Sequence, residues 1–387
     1  MRMRTILIAM NGVTGRMGTN QHLVRSILSL RSKGGVSLSS GERVMPEPIL
    51  VGRNAEKVEA LAKQHGVARW STDLAKTLAD PAVEIYFDAQ ATPLRVASVE
   101  AAIHAGKHVY CEKPLAEDSK SALRLAALAK KSERKCGIVQ DKLFLPGFRK
   151  LKQTIDSGFL GRMISVRCEF GYWVFEGDLQ PAQRPSWNYR KEDGGGIILD
   201  MFAHWQYVIE GILGRIEAVS CIATTHIPKR VGENGKWYDS TADDAAYATF
   251  QLEGGILAQI NSSWCVRVHR DELVALQVDG THGTAIAGLR GCKIQHRANT
   301  PRAVWNPDIP SEIDFYAGWQ DVPDAMNYPN GFEAQWELYL RHVAEDAPFP
   351  HDFVQGARGV MVAEAAMESW RGRRWVDVPA TRLAEGA

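Results

Sequence analysis

The chain is 387 residues long, the size of two ordinary domains at roughly 150 residues each. Hydrophobic residues make up 45% and charged residues 24%, the balance of a soluble globular protein, which excludes wholesale disorder and fibrous repeats. Lys and Arg (46) nearly cancel Asp and Glu (45) for a net charge of +1, so nothing points to nucleic acid or to an anionic membrane surface, and no apolar run nears the roughly 18 residues that span a bilayer.

Residues 5–10 form a short apolar run behind Met1-Arg-Met-Arg. Because it enters a glycine-rich turn rather than a small-residue cleavage site, it reads as a strand rather than a signal peptide, and the protein as cytoplasmic. Further strands are predicted at 49–52, 84–88, 108–111 and 137–140. Helices are predicted at 16–30, 55–65, 94–105 and 119–131. Strand–helix alternation at this spacing specifies a doubly wound parallel sheet. Residues 32–48 are rich in Ser and Gly and end Pro46-Glu-Pro48, which reads as a surface insertion. After about residue 160 the runs at 163–172, 218–227, 245–252, 256–264, 273–279 and 284–289 are rich in β-branched and aromatic residues. They predict a large, open, mainly antiparallel sheet, with 252–255 as a hairpin turn, a helix at 197–213, and two late helices at 332–344 and 353–370. The division is therefore a Rossmann domain over 1–146 and an α+β domain over 147–387, whose last helices are candidates for packing back on the first. The six cysteines (111, 136, 168, 221, 265, 292) are scattered with no Cys-x-x-Cys. They form neither a disulfide framework nor a zinc site and are expected to be buried, reduced hydrophobes.

Directly after the first strand comes Asn11-Gly12-Val13-Thr14-Gly15-Arg16-Met17-Gly18. Glycines there let the backbone turn tightly and approach a pyrophosphate, while the next helix points its N–H groups and positive dipole end at the phosphates. A plain tight turn is the competing explanation. A nicotinamide-binding fold usually ends its second strand in an acid that holds the ribose 2′-OH. Here Arg53 stands 41 residues after Gly12, or 24 once the 17-residue insertion is set aside, and the turn is Gly52-Arg53-Asn54. A guanidinium suits a 2′-phosphate, which favours NADP over NAD; an Arg53 that stacks on adenine or is merely solvated is the alternative.

His108-Val-Tyr-Cys-Glu112-Lys113-Pro114 lies at the carboxyl end of a parallel strand, the edge where such sheets bind ligands. The longer stretch Ala105-Gly-Lys-His-Val-Tyr-Cys-Glu-Lys-Pro-Leu-Ala116, preceded by Ala91-Thr92-Pro93, resembles the Gfo/Idh/MocA oxidoreductases, the glucose–fructose oxidoreductase and inositol dehydrogenase family. Matching stretches follow in order: Asp156-Ser-Gly-Phe-Leu-Gly161, Gly194-Gly-Gly-Ile-Ile-Leu-Asp200-Met-Phe-Ala-His204 and Asp279-Gly-Thr-His-Gly283. The resemblance implies a Rossmann domain followed by an open-sheet domain that often forms oligomer contacts, here a dimer or tetramer. It implies nicotinamide-dependent oxidoreduction of a sugar, polyol or cyclitol. It places the family's catalytic lysine on Lys113, with a Lys–Pro bond that is often cis, and the family's Asp and His on Asp200 and His204. Ala91, Thr92, Pro93, Glu112 and Lys113 would then flank the cofactor beside residues 12–18, Arg53 and Asn54. Departures are the longer glycine loop, the missing acid at Arg53, the missing His after Thr92-Pro93, and Asp141-Lys-Leu-Phe-Leu-Pro146 where the family often shows Arg-Phe-x-Pro.

Asp200 and His204 are four apart in a nearly all-apolar helical stretch, hence on one face of a helix expected to be buried. An unpaired carboxylate there would cost several kcal/mol in order of magnitude, so both need partners or a polar cavity. A substrate hydroxyl with Lys113, a structural Asp–His pair, or a metal are the three readings; no further ligand cluster at metal spacing supports the last. Oxidising a secondary alcohol removes the O–H proton while hydride leaves carbon. Histidine is the natural base near neutral pH, so His204 is assigned that role. Lys113 is assigned to stabilise the alkoxide or to carry the proton itself, and Asp200 to bind substrate or orient the dyad. Residues 172–193 are loop-like and aromatic, a mix that suits sugars. Trp173, Glu176, Arg184, Trp187 and Arg190 are substrate candidates, with Asp141 and Lys142 from the first domain; a surface loop with its own aromatic cluster is the alternative. Asp243 and Asp244 read as a solvated pair at a hairpin end. A glycosidase or lyase that uses NAD transiently, and a non-catalytic cofactor-binding regulator, are the competing functions.

Overall fold

The computed structural model describes residues 3–383 except 305, 311 and 382. The chain divides into two compact units, one made of residues up to Phe144 with 329–364 and the end of the chain from Ala380, the other of Leu145–Tyr328 with Ala365–Pro379. The first break falls two residues before the one drawn from sequence, and 329–364 belong to the first unit.

The first unit is a three-layer sandwich. Its sheet comprises β1 (Met3–Asn11), β2 (Val36–Ser37), β3 (Arg43–Val51), β4 (Arg69–Ser71), β5 (Val83–Asp88), β6 (His108–Cys111) and β7 (Cys136–Ile138). The order is β2-β3-β1-β5-β6-β7, with β4 also on β3. All pairs are parallel except the antiparallel edge β2–β3. Alternation along β1 explains both faces. Ile6, Ile8 and Met10 pack with Leu23 and Ile27 of α1 (π-helical over Met17–Leu28, continued by Ser29–Ser32) and with Trp336, Tyr339 and Leu340 of the late helix Gly331–Glu345. Leu7 and Ala9 face the opposite cluster, filled by Val99, Ala102 and Ile103 of Thr92–His104, Leu125 of Ser119–Ser132, and Phe353, Ala357 and Val360 of Phe353–Gly372. These late residues belong to the first unit because each face of its sheet needs an apolar cover.

About half of the predicted insertion is strand. β3 starts at Arg43, not Ile49, and runs through both prolines. β2 pairs with residues 43 and 44, and β4 with 49–51, so Pro46 and Pro48 stand where no strand lies on that side of β3. The Pro46 carbonyl there accepts the Arg31 guanidinium at 3.1 Å, and a residue without an N–H is tolerated at such an unpaired edge. β4 and the helix Leu74–Ala79 are short and amphipathically weak, and periodicity does not mark them.

The second unit is built on a nine-stranded sheet: β8 (Met163–Gly171), β9 (Ile216–Thr224), β12 (Ala245–Leu252), β13 (Ile256–Ser263), β14 (Val274–Gly280), β15 (Gly283–Ala287), β16 (Cys292–His296), β17 (Gln320–Asp321) and β18 (Val376–Asp377), while β10 (Lys229–Val231) and β11 (Trp237–Asp239) form a separate hairpin. The order is β17-β16-β15-β14-β8-β13-β12-β9-β18, antiparallel except for β13 against β8. The helix Ile197–Ile212 covers one face. Its Phe202 meets Phe250 of β12 at 5.7 Å, and its Trp205 meets Phe170 of β8 at 5.4 Å. The Trp205 indole N–H donates to Ser262 at 2.8 Å. This packing fixes the rotation of the helix, and so the direction of Asp200 and His204. The opposite face leaves Ile222, Tyr247 and Leu257 exposed. Among the described residues no helix is long and apolar enough to cross a membrane. Five of the six cysteines are buried, Cys265 partly so, and all six are free thiols.

Candidate active site

The carboxyl edge of the parallel sheet gathers the candidate residues of the first unit. Gly12 has φ +79°, and a Cβ there would lie 2.5 Å from the Ala89 carbonyl carbon; a Cβ on Gly18 would lie 2.7 Å from the Gly12 oxygen. Only glycine fits at both. Val13 is buried beneath the loop, while Thr14, Gly15, Arg16 and Met17 are exposed, which leaves an open rim of backbone at the start of the helix. The first turn of that helix carries no acid, so its positive end is not neutralised. These residues fit a dinucleotide pyrophosphate.

The end of β3 adjoins this loop, since a Cβ on Gly52 would sit 3.8 Å from the Thr14 methyl. Arg53 is exposed there. Asn54 caps the next helix, its Oδ1 accepting the Lys57 N–H at 2.9 Å, which gives it a structural task at the position first singled out for the cofactor. Ala91, Thr92 and Pro93 open the helix Thr92–His104, with Ala91 and Pro93 exposed.

Lys113 follows β6, partly buried, and its bond to Pro114 is cis. Its surroundings rest on Arg95, which the sequence reading did not pick out. Arg95 is 2% exposed and is bonded to Asp88 Oδ1 at 3.0 Å, to the Gln90 carbonyl at 2.7 Å and to the Pro114 carbonyl. One guanidinium thus ties the loops after β5 and β6 together. Asp88 in turn accepts the Tyr86 hydroxyl at 2.6 Å, and Asn11 donates to that hydroxyl at 3.0 Å. Burial, then the Asp88 charge, push the Tyr86 phenol well up, so it serves as a neutral donor. Breaking a buried pair such as Asp88–Arg95 costs about 3–5 kcal/mol, so this frame is stiff. Asp141 is buried in the 3-10 turn Asp141–Phe144, with the Lys142 ammonium 3.6 Å from its carboxylate.

In the second unit the helix Ile197–Ile212 starts at Gly196 with no cap of its own. Its cap comes from Asp243, whose carbonyl takes the Ile197 N–H and whose Oδ2 takes the Ile198 N–H, both at 2.9 Å. Asp244 is fully buried and accepts the His226 and Ile227 N–H groups at 2.8 and 3.0 Å. The expected solvated pair is therefore two structural carboxylates. Burial raises the Asp243 carboxyl, opposed by the backbone N–H groups it accepts.

Asp200 and His204 lie one turn apart on this helix and have different environments. His204 is 6% exposed, its Nδ1 2.7 Å from the Tyr207 hydroxyl. Asp200 Oδ2 accepts Arg184 at 2.8 Å. The guanidinium stacks over Trp264 at 4.4 Å and lies 3.5 Å from Asn188 Oδ1. Burial works against the Arg184 charge, but the Asp200 carboxylate and Tyr172 together more than offset it. Of the other wall candidates, Trp173 lies under Arg267 at 3.8 Å, and Arg190 stacks on Tyr238 at 4.6 Å. The Glu176 carbonyl accepts Val231 at 2.7 Å, and Trp187 is half exposed. The loop is held from below by Arg230, 1% exposed, which donates to the Val174 and Phe175 carbonyls at 2.9 Å each. Among the described residues no group of three His, Cys, Asp or Glu is placed to hold a metal.

Known proteins match nearly the whole chain. Residues 8–139 match the oxidoreductase family with an NAD-binding Rossmann fold, and residues 148–286 its GFO/IDH/MocA C-terminal domain. The D-xylose dehydrogenase of Paenarthrobacter nicotinovorans is 53% identical over 382 residues, 98% of each chain. The levoglucosan dehydrogenase of Pseudarthrobacter phenanthrenivorans is 21% identical over 363 residues, covering 86% of this chain and 89% of that one. A solved levoglucosan dehydrogenase in complex with NADH and levoglucosan shares the fold at a TM-score of 0.81 and 18% identity, over 97% of this chain and all of that one. The chain belongs to the GFO/IDH/MocA family of NAD-binding oxidoreductases.

Proposed function

We propose that this nicotinamide-dependent sugar oxidoreductase acts on D-xylose or an aldopyranose of similar size, that it prefers NADP(H), and that Lys113, Asp200 and His204 carry the reaction. The observation that carries the substrate assignment is the end-to-end identity of 53% with a D-xylose dehydrogenase. The NADP(H) preference is supported by the exposed Arg53, with no acid, where β3 adjoins the glycine loop.

When bound, the nicotinamide takes up the hydride. His204 accepts the hydroxyl proton through Nε2, its ring oriented by Tyr207 at Nδ1. Lys113 donates a hydrogen bond to the same oxygen and stabilises the charge that develops there. Asp200 is charge-paired with Arg184, which suits it to accept a hydrogen bond from a substrate hydroxyl and makes it a poor place to leave a proton. Trp173, Glu176, Trp187 and Arg190, with Asp141 and Lys142, supply stacking surface and hydrogen bonds to the sugar. The exposed Ile222, Tyr247 and Leu257 on the open sheet support a dimer or tetramer built on that face. The free thiols accord with the reducing cytoplasm.

The test is a panel of pentoses, hexoses, polyols and cyclitols assayed with both oxidised cofactors. D-xylose with NADP is expected to give the highest kcat/KM. Faster turnover of a polyol or cyclitol overturns the substrate assignment, and NADH binding as tightly as NADPH overturns the cofactor preference.

A further inference from the structure

We propose that His22 is a positioning residue for Lys113: a neutral imidazole that accepts a hydrogen bond from Trp336 and donates one to Glu112, holding that buried carboxylate where it grips the Lys113 backbone. The proposal rests on the role given to Lys113 above.

His22 is completely buried in the first helix and so has no access to a substrate. The Trp336 indole nitrogen lies 3.0 Å from its Nδ1. An indole N–H can only donate, so Nδ1 presents its lone pair and the ring is not an imidazolium; the proton of the neutral ring then sits on Nε2. That nitrogen is 2.8 Å from Glu112 Oε1. The other Glu112 oxygen accepts the backbone N–H of Lys113 at 3.1 Å, and the Glu112 N–H is itself bound to the Asp88 carbonyl at 2.8 Å. Burial opposes the Glu112 charge, while the His22 hydrogen bond and then the nearby Lys113 and Arg95 cations favour the carboxylate. The His22 ring is packed against Phe87 at 4.4 Å and Phe332 at 5.1 Å, so it has little room to turn.

A neutral donor–acceptor at this place is needed because both neighbours have fixed polarity. Trp336 can only donate, and an ionised Glu112 can only accept. Histidine in its Nε2–H tautomer satisfies both, as a glutamine amide would. An apolar side chain would leave a buried anion short of a donor, and Glu112 would move or take up a proton, releasing Lys113.

His22→Leu is expected to lower kcat about 10- to 100-fold, the scale of an ångström-sized misplacement, with KM and the dissociation constant for reduced cofactor within about twofold of wild type. His22→Gln is expected to recover most of the lost rate. Nitrogen-15 NMR of the wild-type protein at neutral pH is expected to show His22 protonated at Nε2 only. An Nδ1–H or doubly protonated ring, a folded His22→Leu protein at full kcat, or His22→Gln as impaired as His22→Leu would each overturn the proposal. Where His22→Leu does not fold, Trp336→Phe removes the donor alone and decides the matter: lowered kcat supports the relay, and unchanged kcat overturns it. Lys113→Met serves as control. If it keeps turnover, the catalytic assignment fails; if it is inactive while His22→Leu is not, only the relay fails.

Discussion

Lys113 and the Asp200–His204 pair stand in settings of opposite character. Around Lys113 the polar groups are buried, their partners are backbone carbonyls and carboxylates, and the elements they join are strand ends: Asn11, Tyr86, Asp88 and Arg95 form one chain of hydrogen bonds. Around Asp200 an ion pair with Arg184 is accompanied by cations stacked on aromatic rings in the same unit, Arg184 on Trp264, Arg190 on Tyr238 and Arg267 on Trp173, carried mostly by loops. Stacked guanidinium groups tolerate sliding, whereas buried forked hydrogen bonds do not. The first setting suits a task that never varies, holding a cofactor and a charged group to one geometry. The second suits a wall that changes with the substrate.

Substitutions can break that contrast. The largest effects are expected for Lys113→Met and His204→Asn, each lowering kcat by about 10²–10⁴-fold; turnover within threefold of wild type for both would remove the assigned chemistry. Next comes Gly12→Ala, since a Cβ there meets the Ala89 backbone at 2.5 Å at a positive φ. Cofactor affinity measured by fluorescence titration is expected to fall at least tenfold, with little change in sugar KM once cofactor is saturating. Arg184→Ala sharpens the other side of the comparison: sugar KM and kcat should both worsen, by about 10–100-fold in kcat/KM, because Asp200 loses a charged partner worth about 2–3 kcal/mol, while cofactor affinity holds. Equal damage to both ligands from Arg184→Ala would mean that the second setting is as rigid as the first.

The last expected effect is on stability and leaves both ligands' sites untouched. Burial depresses His351 from its ordinary value to about 4, and the ring is only 8% exposed beside Gln140. Between about 4 and 6.5 the unfolded chain binds a proton at this site that the folded chain does not, so stability is full above about 6.5 and is lost as the pH falls. Denaturant unfolding at pH 7 and pH 5 should show about 2 kcal/mol less of that loss in His351→Gln than in wild type.

Much of this was legible beforehand where the signal is local. The Glu112-Lys113-Pro114 turn, the glycine loop, the helix 55–65 and the strands 108–111 and 245–252 show in residue type and spacing over short windows, because apolar periodicity and turn chemistry act over a few residues. β3 was missed at its start because proline argues against a strand, and only the absence of a neighbour beside Pro46 and Pro48 makes it tolerable there. The cap from Asp243 was missed because it lies 45 residues beyond the Ile198 it serves.

By itself, then, the order of residues determined the two-part α/β and open-sheet plan and singled out the glycine turn and the groups proposed for acid–base chemistry. Folding alone decided how those groups are held: that Arg95 braces the Lys113 turn, that Arg184 is given to Asp200, and that His22 meets Trp336 across 314 positions of chain. Hydrogen-bond polarity and burial depend on which distant side chain arrives at 3 Å, and no short window of sequence records that arrival.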